Sequence, residues 1–269
     1  MTAPKKRLMF ALLYDGGSFM LSRNFRLQRV GDIEWLERNY NFRETALSID
    51  ELVILNVERD RASMDGFHEH VRRLNDDCFV PITAGGGVRS VDDARMLLRS
   101  GADKVAINTV LWSDPALVSA LASEFGRQCL VASVDVRATA AGHRAVIANG
   151  TEALPMPAAE WISRVAGMPI GEIFLTSVDR DGTGQGYDDA VLGLVPRDLP
   201  VPLIVAGGAG KAEHFVAPLQ RDDVGAACTA HLFNFVGQSL ATSRSHLRAA
   251  GVDLVEWNPG LLRDLAGSL

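Results

Sequence analysis

Asp135 closes an otherwise apolar run, Leu130-Val131-Ala132-Ser133-Val134. A carboxylate at the end of a buried strand faces the cleft beyond it, where a general acid or base is placed. A structural carboxylate bonded to backbone N–H groups would fit there equally well. Two glycine runs, Gly85-Gly86-Gly87 and Gly207-Gly208-Ala209-Gly210, each lie between an apolar run and an amphipathic one. Glycine lets the backbone approach an anion, and a following helix offers free N–H groups. A tight turn would explain either run alone; two in matching places point to phosphate. A third stretch, residues 179–186, puts Asp181, Gly182 and Thr183 in a glycine-rich loop that lies beside a ligand or on a solvated surface. Arg7, Glu51, Lys104 and Glu172 stand at or near the starts of apolar runs. Two cations and two anions at one end of a strand bundle make an ion-paired layer, which serves stability or, closed around an axis, forms a gate. Of the six histidines, His231 alone falls by a strand end. No HxxH or HExxH spacing and no metal-type cysteine pair is present, so neither metal nor cofactor is expected.

These residues need elements to hold them. Apolar runs at 8–14, 51–56, 81–84, 104–107, 130–136, 172–177, 203–206 and 225–229 predict eight strands. Most lack polar alternation, as parallel strands buried on both faces do. Amphipathic segments lie between them. Ser90 caps a helix over 91–99, with Asp93 at the capping-box position. Asp114-Pro115 opens another. Residues 157–165 carry Trp161, Ile162 and Val165 at helical spacing. Residues 137–149 predict a β-hairpin inserted after the fifth strand. Eight βα units predict an α/β chain folded as one (β/α)₈ TIM barrel domain over residues 1–269.

The chain also repeats itself. A shift of 121 carries residues 50–60 onto 171–181, 80–87 onto 201–208, and 106–109 onto 227–230. Three matches at one offset predict two homologous half-barrels with quasi-equivalent sites across the top. The half-barrel counterpart of Asp135 falls near Leu13, which cannot transfer a proton.

Composition sets the outer limits. The chain has 269 residues, 47% of them hydrophobic and 22% charged, enough for a large core. A net charge of −6 argues against general nucleic-acid binding but not against a phosphorylated small molecule. Three scattered cysteines fit a reducing, cytoplasmic compartment. The first apolar run ends at Asp15, too short for a membrane span, and no cleavage site follows it.

The motifs Asp50-Glu51-Leu52-Val53, Ala84-Gly85-Gly86-Gly87-Val88, 101–109, 175–183 and Gly207-Gly208-Ala209-Gly210-Lys211 resemble those of imidazole glycerol phosphate synthase cyclase subunits, the histidine-biosynthetic barrels, over nearly the whole chain. The resemblance implies a glutaminase subunit docked at the barrel bottom. It implies ammonia passing a charged gate, here Arg7, Glu51, Lys104 and Glu172, to reach a ribotide with two phosphates at the top. It places Asp103 at the docking face and phosphate contacts at Gly87, Asn108, Thr109, Asp181, Gly182 and Gly208, with His231 where the second phosphate site usually has a small hydroxyl residue; the glycine loops and their neighbours add Gly86, Thr183, Gly207, Gly210 and Ala230 to the expected phosphate-binding set. Asp135 matches the family's second catalytic aspartate. The first is replaced by Leu13, a loop lysine by Leu21, and an aspartate ending strand two by Asn56. This pattern looks like the branch that supplies ammonia to a separate sugar amidotransferase for surface polysaccharide. A working histidine-pathway cyclase and a scaffold that only activates its glutaminase are the alternatives.

Overall fold

The computed structural model describes residues 4–39, 47–59, 64, 66–230 and 239–256. All eight apolar runs are strands: β1 (Arg7–Asp15), β4 (Glu51–Asn56), β5 (Ile82–Gly85), β6 (Lys104–Ile107), β7 (Leu130–Thr139), β10 (Glu172–Ser177), β11 (Leu203–Ala206) and β12 (Val224–Thr229). Each pairs in parallel with its neighbours in the order β1-β4-β5-β6-β7-β10-β11-β12, and β12 returns to β1. The sheet therefore closes as a (β/α)₈ barrel. Strand β5 starts one residue later than the sequence suggests, because Pro81 has no N–H to give the ladder.

Alternate side chains point to the axis. On that face Met9, Val53, Ala106, Val131, Phe174, Ile204, Ala226 and Cys228 form one buried cluster. The opposite face packs in a second cluster against the helices, with Trp161, Phe67 and Phe215 fully buried. Helix Val91–Arg99 starts at Ser90, whose hydroxyl accepts from the Asp93 N–H at 3.1 Å. The last described helix, Ser239–Ala249, is fixed by Arg244, which donates to both Asp50 oxygens at 2.8 and 2.9 Å. Asp50 also accepts from the Leu8 N–H at 2.8 Å.

Two antiparallel excursions break the alternation at the barrel top. After β7 the chain forms β8 (Gly142–Ile147) and β9 (Glu152–Pro157), so the expected hairpin continues for one strand more. After β1 it forms β2 (Ser18–Arg23) and β3 (Arg26–Gly31), which sequence reasoning missed. The signal was present in Asp15-Gly16-Gly17-Ser18, a two-glycine hairpin turn with φ of 52° and 86°. His214 lies in the 3₁₀ turn Ala212–Phe215.

The excursions sit in matching places of the two halves. Leu13 pairs with Leu55 across β1–β4, as Asp135 pairs with Thr176 across β7–β10. Leu13 is thus the positional counterpart of Asp135. At β12 the register slips between Leu203 and Ile204. Val105 pairs with Leu130 and Leu8 with Ala227, so the shift there is 122 residues (227 − 105), not 121. Asn108 consequently corresponds to Ala230.

Candidate active site

The bottom of the barrel is built by the first inward residue of four strands. Arg7 Nη1 donates to Glu51 Oε2 at 2.7 Å, and Arg7 Nη2 pairs with Glu172 Oε1. Lys104 Nζ donates to Glu51 Oε2 at 3.0 Å and to Glu172 Oε2 at 2.8 Å. The four close into a ring of alternating charge. Burial alone would push the Glu172 carboxyl up, but Arg7 and Lys104 overcome it and hold the carboxyl below its usual range. Burial would lower Arg7; its two glutamates more than reverse that. Above the ring lies the apolar axial cluster. Burial pushes the Cys228 thiol far up, with the Glu51 charge adding to the shift, so the thiol stays neutral.

At the top the barrel opens into a cavity of about 910 Å³. Asp135, Asn108, Thr176 and Ser133 line one side; Leu13, Leu21, Leu27 and Leu55 line the other. Asn108 Nδ2 donates to Asp135 Oδ2 at 2.7 Å. Burial raises the Asp135 pKa to about 7, although hydrogen bonds from Thr176 and Asn108 pull it down. Near neutrality this carboxyl is therefore divided between acid and base forms, which suits proton transfer in either direction.

The raised value has a stability consequence. Between about pH 4 and pH 7 folded Asp135 holds a proton that the unfolded chain has released, so stability falls as pH rises through that window. Asp135→Asn lacks this slope. Its stability relative to wild type should grow by about 2 kcal/mol from pH 5 to pH 8, after allowing for screening by cavity water. Denaturant titrations at the two pH values measure this; parallel curves would mean that the carboxyl ionises normally.

Both glycine loops reach the cavity. Gly86, Gly87, Asn108, Thr109, Gly182, Gly207, Gly208 and Ala230 all line it. Among the described residues, the N–H groups of Gly87, Thr109 and Gly208 have no protein acceptor and are available to an anion. Close backbone approach also demands glycine here. A Cβ on Gly86 (φ 95°) would lie 2.0 Å from the Asn56 carbonyl oxygen, and one on Gly208 (φ 113°) would lie 2.1 Å from that of Gly186.

Three of the expected phosphate contacts have protein partners of their own. The Gly210 N–H donates to His214 Nδ1 at 3.1 Å and is not available to an anion. Thr183 does not line the cavity; its hydroxyl donates to the Arg180 carbonyl at 2.8 Å. Asp181 lines the cavity, but its carboxylate accepts from Ser22 Oγ and from the Phe25 N–H, the latter at 3.1 Å. Its role is to hold the β2–β3 hairpin. His231 lies outside the described residues. Asp103 is exposed at the barrel bottom, and its Oδ2 accepts from the Ile82 N–H at 2.8 Å. Among the described residues, no group of three or more His, Cys, Asp or Glu side chains is placed to hold a metal ion. No helix among them is long and apolar enough to cross a membrane.

Residues 32–237 match the family model described as histidine biosynthesis protein. A protein of Parasynechococcus marenigrum, provisionally named imidazole glycerol phosphate synthase subunit hisF2, is 44% identical over 94% of this chain and 94% of its own. Imidazole glycerol phosphate synthase subunit HisF of Hyphomonas neptunium is 40% identical over 92% of this chain and 97% of its own. The HisF subunit of Thermobifida fusca is 38% identical over 91% and 96%.

Proposed function

The chain belongs to the histidine biosynthesis protein family as a HisF-like barrel, and from that premise we propose that it receives ammonia from a glutaminase and passes it on rather than using it efficiently itself. A glutaminase would bind the bottom face around Asp103 and release ammonia at the ring of Arg7, Glu51, Lys104 and Glu172. The axial cluster above the ring carries no charge, so it favours neutral ammonia over ammonium. Ammonia would then emerge beside Asp135 in a cavity that takes a phosphorylated small molecule on the Gly87, Thr109 and Gly208 N–H groups.

The observation that carries the finer reading is Leu13. It occupies the counterpart of Asp135 and leaves the cavity with one acid–base group on the barrel axis where the family pattern has two. Ammonia delivered to such a mouth is suited to a separate sugar amidotransferase acting on surface polysaccharide in the cytoplasm. A working histidine-pathway cyclase is the second reading. The intact Asp135 and both glycine loops favour it.

The test is to co-purify the chain with a glutaminase subunit and measure glutamine hydrolysis, with and without the chain. Stimulated hydrolysis supports the proposal; no association by calorimetry sinks it. The docking face has its own variant. Asp103→Ala would also orphan the Ile82 N–H, so the clean substitution is Asp103→Asn, which keeps an acceptor. It should weaken glutaminase binding by about 1 kcal/mol, roughly fivefold, with an unchanged melting temperature. Unchanged affinity would remove Asp103 from the interface.

A further inference from the structure

The β2–β3 hairpin carries features that the fold does not require. Its two-residue turn is Asn24-Phe25, with φ of 52° and 63°. Asparagine tolerates the left-handed region; a bulky aromatic there is a backbone outlier. The residues flanking the turn are Arg23 and Arg26, which pair directly opposite each other across the two strands. Like charges at such a pair destabilise a hairpin. Among the described residues neither guanidinium has a partner. The tip therefore holds a strained residue and an unrelieved charge pair in one turn.

This costly turn is nevertheless held firmly in place. Asn24 Nδ2 donates to the carbonyls of Val178 at 3.1 Å and Asp179 at 2.8 Å. The Asn24 N–H donates to the Asp181 carbonyl at 3.0 Å, and Asp181 also takes Ser22 and the Phe25 N–H. Arg59 donates to the Phe25 carbonyl. These bonds fix the tip over the mouth of the large cavity, where Arg23, Arg26, Arg59 and Arg89 all form part of the lining. Glu58 adds one carboxylate to this rim, while Asp114 is committed to capping the helix that follows it. Four guanidinium groups thus share this lining with four carboxyl groups, of which Asp114 and Asp181 are already engaged by backbone N–H groups. Leu13, Leu21 and Leu27 are among the apolar side chains that line the same cavity.

We propose that Arg23 and Arg26, with Arg59 beside them, form an anion subsite at the hairpin tip that takes a phosphoryl group of the cavity's ligand. It is separate from the two glycine loops. Guanidinium forks match phosphate oxygens in pairs, and an anion between the two arginines relieves their repulsion. The ligand class is a phosphate or diphosphate ester. Its phosphoryl end lies at the hairpin, and a less polar portion rests on Leu13, Leu21 and Leu27.

The experiment uses the full chain without a glutaminase, so its failure leaves the ammonia-transfer proposal standing. Inorganic phosphate and pyrophosphate are titrated by calorimetry at matched ionic strength into wild type and R23Q/R26Q. Both proteins keep the glycine loops, so the difference isolates the hairpin. The double variant should lose about tenfold or more in pyrophosphate affinity. Its melting temperature without anion should equal or exceed that of wild type. R26Q alone should give a smaller loss in the same direction. Equal pyrophosphate affinity in wild type and R23Q/R26Q would overturn the proposal. So would a lower anion-free melting temperature in both variants, since the arginines would then be structural.

Discussion

Leu13→Asp is expected to turn over the family's ribotide with free ammonium about 10²–10⁴-fold faster than the wild-type chain. Cyclisation needs proton transfer on both sides of the reacting centre, and one positioned acid or base contributes on that order. The wild-type mouth supplies Asp135, poised near pH 7 by burial. Across from it Leu13 supplies a hydrocarbon surface, partly exposed to the cavity. Strand register makes the substitution a fair one, because Leu13 and Asp135 occupy corresponding positions in β1 and β7. The surroundings differ. Where Asp135 has Asn108 and Thr176, the corresponding residues beside Leu13 are Ala230 and Leu55. An introduced carboxyl would have fewer hydrogen bonds and a raised pKa, so the gain should be larger at pH 8 than at pH 6. The resemblance also implies a lysine at the place of Leu21, a second missing group, so the gain should fall short of a full restoration. Ordinary turnover by the wild type, with no gain in the variant, would restore the histidine-pathway reading.

Which parts of this were legible in the sequence follows from where the physical signals are local. Strands β4, β6, β10 and β11 start and stop where their apolar runs do, because a strand buried on both faces has no other composition. The charged residues at the barrel bottom stand out for the same reason: a charge beginning an apolar run has to be paired. The β2–β3 hairpin was hidden. Its strands are short and mostly polar, and Arg26, Gln28 and Arg29 in β3 are exposed. Only the turn residues marked it. The differences at the phosphate loops have one cause. Sequence shows that a loop is glycine-rich, but not which of its polar groups other parts of the chain have already taken. His214 takes the Gly210 N–H from within its own turn, whereas the hairpin that occupies Asp181 comes from more than 150 residues away. The bulge in β12 is of the same kind. It arises from pairing between strands, and it shifts the half-barrel correspondence by one residue that no reading of a single run could supply.

The bottom ring leads to the second large effect. Lys104→Ala should destabilise the chain by roughly 2–4 kcal/mol. Removing this cation leaves Arg7 alone against two carboxylates. The side chain of Glu51 is only 2% exposed and that of Glu172 11%. An uncompensated charge at that depth costs up to ~5 kcal/mol, and the 20% exposure of Lys104 itself argues for somewhat less. Removing an ion pair together is a different matter. Lys104→Met combined with Glu51→Gln should recover most of the loss, since the Glu51 partner Thr83 can still donate to an amide oxygen. The pH dependence has a definite sign. Glu172 is held below its usual range, so its contribution is present above the ordinary glutamate pKa and disappears as pH falls through the lower folded value. The gap between wild type and Lys104→Ala should therefore narrow in acid. Denaturant titrations at neutral and acid pH measure both effects, and a variant as stable as wild type at neutral pH would show that these charges are fully solvated. The role in transfer needs a second readout. In the Leu13→Asp background with a glutaminase bound, ammonia released from glutamine would have to pass the ring, while added ammonium would enter from the mouth. Lys104→Ala should change the ratio of the two rates, and a ratio equal to that of the parent would remove the ring from the ammonia path.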